Sequence, residues 1–159
     1  MSDIPVTMAI RFLRQHNVEP EPHLYRWEKK GANASAEALG VDVAEVIKTL
    51  IFETDTTMPL MVLMDGTHEV SAKTLARHLG VKSVAPCTPK RAETLTGYQV
   101  GGISPFGTKT KMKVYMQETL LLLDKAYING GKRGFLIRLP TDVIQRLLNA
   151  ECVDVAAPE

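Results

Sequence analysis

The sequence has few of the residues that mark disulfide-rich, metal-binding or membrane-spanning proteins. Its two cysteines, Cys87 and Cys152, are far apart and show no CxxC spacing, so neither a disulfide framework nor a zinc site is predicted, and a reducing compartment is expected. No apolar run reaches the roughly 18 residues that a membrane-spanning helix needs. Met1 to Pro5 lack the basic and apolar regions of a signal peptide. We therefore expect a cytoplasmic protein without a membrane contact.

A large excess of charge is also lacking. Lys and Arg number 19 against 18 Asp and Glu, which leaves a formal net charge of +1. A protein that wraps nucleic acid would be strongly basic, although local contact with an RNA end stays compatible with this balance. The four histidines have no ligand spacing, and no metal or other cofactor is predicted. What remains is an ordinary globular composition, with 45% apolar residues, typical of one domain over residues 1–159.

Hydrophobic periodicity and capping residues predict a mixture of helices and strands. Helices are expected at 7–16, 34–39, 71–79, 89–97 and 141–149. Strands are expected at 23–27, 46–53, 60–64, 112–117, 126–128, 135–139 and 152–155. Asn129-Gly130-Gly131 is expected to form the loop between two of these strands. Because helices and strands do not alternate regularly, we predict an α/β domain of the α+β kind, with a mixed sheet flanked by helices.

The glycine-rich stretch 97–107 is the first candidate for function. It misses a Walker phosphate-binding loop by one residue, since Lys109 does not directly follow Gly107. It also misses a nucleophile elbow, because Pro105 follows Ser104 and the second glycine comes one residue late. Two interpretations stay open and are about equally supported. The stretch is either a cradle of backbone N–H groups for a ligand carbonyl or a tight surface turn.

Lys48 is the second candidate. In a strand it would share one face with Val46, Leu50 and Phe52, and a lysine in an apolar row is rarely buried without a partner. The alternative is a lysine at the end or edge of the strand, with a packed stem and a solvated amine. Cys87 is expected to be a packed thiol. Lys132-Arg133 would be solvated or would contact RNA phosphates.

Three segments together resemble the YbaK/EbsC family, in the same order and with similar spacing over nearly the whole chain. They are Glu45-Val46-Ile47-Lys48-Thr49-Leu50, the stretch from Gly97 to Pro105, and Gly130-Gly131-Lys132-Arg133-Gly134. The TGYQVGGISP stretch is the most specific of the three. Members of this family are bacterial editing factors related to the editing insertion of prolyl-tRNA synthetase, and they remove a wrong amino acid from tRNA.

The resemblance implies a metal-independent hydrolase that removes cysteine from Cys-tRNA(Pro), and in some members from Cys-tRNA(Cys). It implies that Lys48 holds the terminal adenosine and its phosphate, and that the substrate's own thiol attacks the ester. The 3′ end of aminoacyl-tRNA would be the partner, with prolyl-tRNA synthetase a candidate second partner. The implied substrate-binding residues are Tyr25, Thr49, Gly101, Gly102, Ile103, Ser104, Pro105, Asn129, Gly130 and Gly131.

This chain also departs from the family pattern. Asn129 stands where relatives often have serine, and Leu136 stands where they often have a polar residue. The segment 29–33 lacks the relatives' pocket aromatic, for which Trp27 is the candidate replacement. Four functions stay as alternatives. The first is a Cys-tRNA(Pro) deacylase, and the second is an editing enzyme for another small amino acid such as alanine or serine. The third is a non-catalytic module that binds tRNA or a synthetase, and the fourth is a small-molecule hydrolase that uses Cys87 or Ser104.

Overall fold

The computed structural model describes residues 4–158. Met1–Asp3, which belong to the N-terminal segment discussed above, and Glu159 lie outside the described residues. Five α-helices are present in the described part: α1 (Met8–Gln15), α2 (Ala32–Leu39), α3 (Ala72–Leu79), α4 (Pro89–Thr96) and α5 (Thr141–Leu148). Eight strands accompany them: β1 (Glu21–Leu24), β2 (Ile47–Thr54), β3 (Pro59–Asp65), β4 (Val84–Pro86), β5 (Lys113–Gln117), β6 (Lys125–Lys132), β7 (Phe135–Pro140) and β8 (Glu151–Val153). Two short 3₁₀ helices span Val43–Glu45 and Glu118–Leu122.

The strands form two sheets, which refines the prediction of one mixed sheet within the confirmed α+β class. The smaller sheet is antiparallel, in the order β1-β7-β6. The larger sheet has the order β4-β2-β3-β5-β8 and is mixed, because β3, β5 and β8 run parallel while β2 is antiparallel to both of its neighbours. A bridge between Val46 and Tyr127 joins the start of β2 to β6. The two sheets therefore meet beside Lys48.

Alternation along the strands builds a core on both faces of the larger sheet. Met61 and Leu63 of β3 belong to the main cluster, which also takes in α1, α4, α5 and the smaller sheet. Leu60 and Val62 point the other way and pack against α3. A third cluster places α2 against Val46, Tyr127 and Leu136. Since β3 is buried on both faces, it reads in sequence as a continuous apolar run.

Capping residues mark both ends of α3 and α4 and the end of α2, whereas α2 begins two residues before its predicted start. Ser71 accepts a hydrogen bond from the N–H of Thr74 at the start of α3, and Thr88 does the same for Arg91 at the start of α4. Gly40, Gly80 and Gly97 take left-handed conformations at three C-termini. None of the helices within residues 4–158 is long and apolar enough to cross a membrane.

The predicted loop at Asn129-Gly130-Gly131 is wrong. These residues lie inside β6, where the register shifts between Asn129 and Lys132, and the turn comes only at residues 133–134. Packing explains the glycine at position 130, because a Cβ there would come within 2.5 Å of the Phe135 ring. The glycine pair therefore allows a bulge and close packing rather than a loop. The first strand is also displaced, to Glu21–Leu24.

Candidate active site

A cavity of about 430 Å³ opens where the two sheets meet. We call it the main cavity. Its wall combines β2, the start of α2, the glycine-rich loop and β6, with Ser35, Lys48, Thr49, Gly101, Ile103, Asn129 and Leu136 among the lining residues. A second space of about 340 Å³, the side cleft, shares Thr49, Leu50 and Ile103 with it and extends to Phe52 and Cys87. Both spaces are largely apolar with a few polar groups, as ligand sites usually are.

Lys48 places a positive charge on the wall of the main cavity. Its Nζ donates to the backbone carbonyl of His68 and lies 3.2 Å from Oε1 of Glu69. The Lys48 side chain is only 16% exposed, whereas that of Glu69 is 86% exposed. Because an ammonium group has three donors, two contacts to protein leave one N–H for a ligand. The structure thus gives the predicted lysine both a partner and a free donor.

A polar turn after β3 presents the carbonyl that receives Lys48. The carboxylate of Asp65 accepts from the N–H of Thr67 at 2.9 Å and lies 3.0 Å from Nδ1 of His68. Burial acts to raise the pKa of Asp65, but the hydrogen bonds from Thr67 and His68 outweigh it and hold the pKa below its usual range. Asp65 is therefore ionised at neutral pH. Asp65-Gly66 is a typical turn sequence that ends the strand, but nothing local in it indicates the contact with Lys48.

The glycine-rich loop is held by hydrogen bonds to its carbonyls. The N–H of Gly102 donates to the Gln99 carbonyl at 2.8 Å, and the side chain of Asn129 donates to the Gly101 carbonyl at 3.1 Å. Within residues 4–158, no acceptor bonds the N–H groups of Gly101 and Ile103. Gly101 and Ile103 both line the main cavity, so a cradle of backbone donors stays a prediction that is compatible with this structure.

Glycine is required at two positions of this loop. Gly101 has φ of +93°, and a Cβ there would meet Trp27 and Arg133 at 3.1 Å. A Cβ on Gly102 would lie 2.8 Å from the backbone nitrogen of Arg133. Side chains at either position would push the loop off the β6–β7 turn. Trp27 thus packs against the loop at Gly101 and is not among the residues that line the main cavity.

Asn129 lines the main cavity, but its amide is already engaged by protein. Besides the bond to Gly101, its Oδ1 accepts from the N–H of Gly131 at 2.7 Å and of Lys132 at 3.2 Å. Gly130 and Gly131 lie behind the wall, where Thr7 donates to the Gly130 carbonyl at 2.5 Å. Asn129 therefore joins the bulge of β6 to the glycine-rich loop.

Ser104 and Pro105 are buried beneath the loop and line neither cavity. Ser104 is 0% exposed, and its Oγ accepts from the N–H of Phe106 at 3.2 Å. Tyr98 anchors the same segment by donating its hydroxyl to the Phe106 carbonyl. A serine nucleophile needs a base and access to substrate, and Ser104 lacks access.

Thr49 has a hydroxyl without a partner. Its Oγ1 is enclosed and makes no hydrogen bond within the described residues, although Thr49 lines both cavities. An enclosed unpaired hydroxyl costs about 1–3 kcal/mol, which a ligand bond would recover. Tyr25 lines a neighbouring cleft instead, and its hydroxyl lies 2.9 Å from Oγ of Ser35 on the main cavity wall.

The thiol of Cys87 lies in the side cleft. Burial raises its pKa, and the nearby carboxylate of Glu53, 3.7 Å from Sγ, raises it further. The protonated thiol is a poor nucleophile at neutral pH. No group of three or more His, Cys, Asp or Glu side chains in residues 4–158 is arranged to hold a metal ion.

The described residues thus form a two-sheet α+β domain whose main cavity is lined by the glycine-rich loop and by Lys48. A model of the aminoacyl-tRNA editing domain matches residues 28–147, and the chain belongs to that family.

Individual relatives agree with this assignment. EbsC of Enterococcus faecalis, a proposed Cys-tRNA(Pro)/Cys-tRNA(Cys) deacylase, is 31% identical, with 96% of this chain and 94% of EbsC covered. The proline–tRNA ligase of Ligilactobacillus salivarius is 38% identical over 63% of this chain, which spans only 17% of the ligase. The crystal structure of a proposed trans-editing enzyme for prolyl-tRNA synthetase has the same fold, with a TM-score of 0.86, 24% identity, and 99% and 100% of the two chains covered.

Proposed function

We propose that this protein hydrolyses the ester between a wrong amino acid and tRNA, with Cys-tRNA(Pro) as the first substrate and Cys-tRNA(Cys) as the second. The observation that carries the proposal is the pairing of free backbone donors at Gly101 and Ile103 with one free donor on Lys48 in the same cavity. Backbone N–H donors stabilise a carbonyl oxygen that becomes an oxyanion. A lysine ammonium binds the anionic phosphate at the 3′ end of RNA.

The proposed mechanism uses these groups for position and electrostatics. Lys48 binds the phosphate or ribose of the terminal nucleotide, and the loop N–H groups polarise the ester carbonyl. The cysteinyl thiol loses its proton and attacks that carbonyl, and the ribose oxygen leaves with a proton. Water then hydrolyses the resulting thiolactone to free cysteine. No protein nucleophile or metal takes part, which agrees with the buried Ser104 and the protonated Cys87.

We propose that selectivity comes from this chemistry more than from shape. The wall of the main cavity is apolar at Leu136, and one methylene in an apolar pocket changes discrimination by only about 1–3 kcal/mol. Internal attack distinguishes the substrates more sharply, because the serine hydroxyl is a weaker nucleophile than a thiol and alanine has none.

A deacylation panel tests the proposal. One tRNA(Pro) is charged with Cys, Ser, Ala or Pro, and Cys-tRNA(Cys) is run beside it, with purified protein in EDTA and without ATP. We expect cysteine to be released fastest, with serine and alanine released slowly. Equal rates for alanine and cysteine would show that water attacks directly and would assign an editing enzyme for small amino acids. Inactivity on every substrate would instead assign a non-catalytic binding module.

We also propose that the protein acts where translation occurs, in the cytoplasm, and that its partner is the 3′ end of aminoacyl-tRNA. Relatives that contain a matching region within proline–tRNA ligase support association with that synthetase. Repeating the panel with added prolyl-tRNA synthetase tests the association. A complex in which both proteins handle one tRNA should raise the rate on Cys-tRNA(Pro) and leave Cys-tRNA(Cys) unchanged. An unchanged rate on both would refute the association.

A further inference from the structure

We propose that Arg133, stacked on Trp27, is a positioning residue that holds the glycine-rich loop in its ligand-binding conformation. The proposal rests on the proposed function, because it assigns how the cradle of that site keeps its shape. Arg133 lies in the turn between β6 and β7. Its guanidinium carbon is 4.3 Å from the centroid of the Trp27 ring. Its Nε donates to the carbonyl of Val100 at 2.9 Å.

The peptide groups around Val100 are held from both sides. The N–H of Val100 donates to the carboxylate of Glu93 at 2.8 Å, and its carbonyl accepts from Arg133. The next carbonyl, that of Gly101, accepts from Asn129. Because these carbonyls are engaged by protein, the free N–H groups of the loop remain available in the cavity wall. A cradle fixed before the substrate arrives needs no reorganisation during the reaction.

Close packing couples the stack directly to the loop. A Cβ on Gly101 would lie 3.1 Å from Nε of Arg133 and 3.1 Å from Cζ2 of Trp27. The backbone of the cradle therefore rests on the tryptophan–arginine pair, and a change in the pair moves the loop. Arginine suits this task because its planar group stacks and donates from a fixed Nε, whereas lysine offers a mobile point charge.

The alternative role for Arg133 is contact with an RNA phosphate, and the two roles predict different results for Arg133→Lys. A phosphate contact tolerates lysine and contributes to the salt dependence of binding. A positioning role does not tolerate lysine. Trp27 covers one face of the guanidinium, and the Val100 carbonyl accepts from its Nε. These two contacts with protein favour the positioning role.

The experiment compares Arg133→Lys and Arg133→Ala with Arg26→Ala in the deacylation assay. Arg26 is a matched control, because its side chain is 91% exposed and it lines neither the main cavity nor the side cleft. We expect both Arg133 variants to lower kcat by roughly 10- to 100-fold with little change in KM, and Arg26→Ala to stay near wild type. Guanidinium ion at a sub-denaturing concentration should restore part of the rate of Arg133→Ala. A wild-type rate for Arg133→Lys, with a weaker salt dependence for Arg133→Ala, would overturn positioning in favour of a phosphate contact.

A second measurement does not depend on catalysis. Trp27 is the only tryptophan in the chain, so its fluorescence reports the stack. We expect Arg133→Ala to shift the emission and Arg26→Ala to leave it unchanged; identical spectra for wild type and Arg133→Ala would overturn the proposal. If wild type is inactive on the whole panel, the proposed function fails, and the fluorescence result still decides whether Arg133 and Trp27 stack.

Discussion

Replacing Lys48 by methionine separates its chemical role from its structural one. Methionine keeps most of the apolar stem and removes the ammonium, so the packing beside Leu50 is largely retained. Two protein contacts are lost, one to the His68 carbonyl and one to Glu69. Since Glu69 is 86% exposed, that ion pair contributes at most about 1 kcal/mol. The bond to His68 involves a charged group and is worth about 1.5–3 kcal/mol, so together the losses come to roughly 1.5–4 kcal/mol.

The expected loss of activity is larger than the expected loss of stability. A destabilisation of this size lowers the melting temperature by about 3–16 °C for a chain of this length. Removing one partner of a buried, charged contact with a ligand costs about 2–5 kcal/mol, or roughly 30- to 5,000-fold in kcat/KM. We therefore expect Lys48→Met to be a folded protein with nearly all of its deacylase activity lost. Initial rates should be measured well below both melting temperatures.

Lys113→Met is the matched control for Lys48→Met. Lys113 also forms a lysine–glutamate pair on the larger sheet, with Glu151 at 3.5 Å, and it lines neither the main cavity nor the side cleft. Its replacement should leave the rate unchanged. A Lys48→Met rate within threefold of wild type would refute a direct role for Lys48 in substrate binding. So would an equal loss in the Lys113 variant.

Four further variants test the rest of the site. Ser104→Ala and Cys87→Ala should each retain substantial turnover, and a covalent acyl-enzyme trapped at either residue would contradict the mechanism. Asp65→Asn should lower the melting temperature at pH 7. The difference from wild type should shrink as the pH falls below about 4, the ordinary pKa of aspartate, because a carboxylate with a lowered pKa stabilises the fold only while it is ionised. A difference of equal size at pH 3 would refute this. Asn129→Ala should lower kcat more than it raises KM, since it frees the Gly101 carbonyl; a change confined to KM would indicate substrate contact instead.

Most elements of the fold were predictable because their signals are local. Ser71, Thr88 and the glycines that follow the helices determine where helices begin and end. The bulge at Asn129 was not predictable, because glycines mark loops unless a distant side chain such as Phe135 needs the space. The strand Val84–Pro86 was missed for a similar reason, since three residues become a strand only through pairing with β2.

The residues of the candidate site also fall into those that a local sequence signal predicts and those that only distant contacts reveal. Lys48 and the glycine-rich loop stand out in sequence, because each breaks a local pattern. Glu69 and the Asp65 turn could not be assigned to Lys48 from sequence, because their contacts join residues about 20 positions apart. The family resemblance supplied the order of the three segments, and the structure adds which of their residues line the main cavity.

Two kinds of residue therefore make up this site, and they should respond differently to change. Lys48 and the loop residues Gly101 and Ile103 line the main cavity with donors that protein does not use. The side chains of Asn129, Arg133 and Glu93 form hydrogen bonds with the backbone of the loop and hold it in place. Changes in the second group should lower the rate on every substrate alike, because they disturb the shared carbonyl cradle. Changes in the wall, as at Leu136, should alter the ratio of rates between amino acids by a modest factor, since the wall contacts the side chain while internal attack sets most of the selectivity.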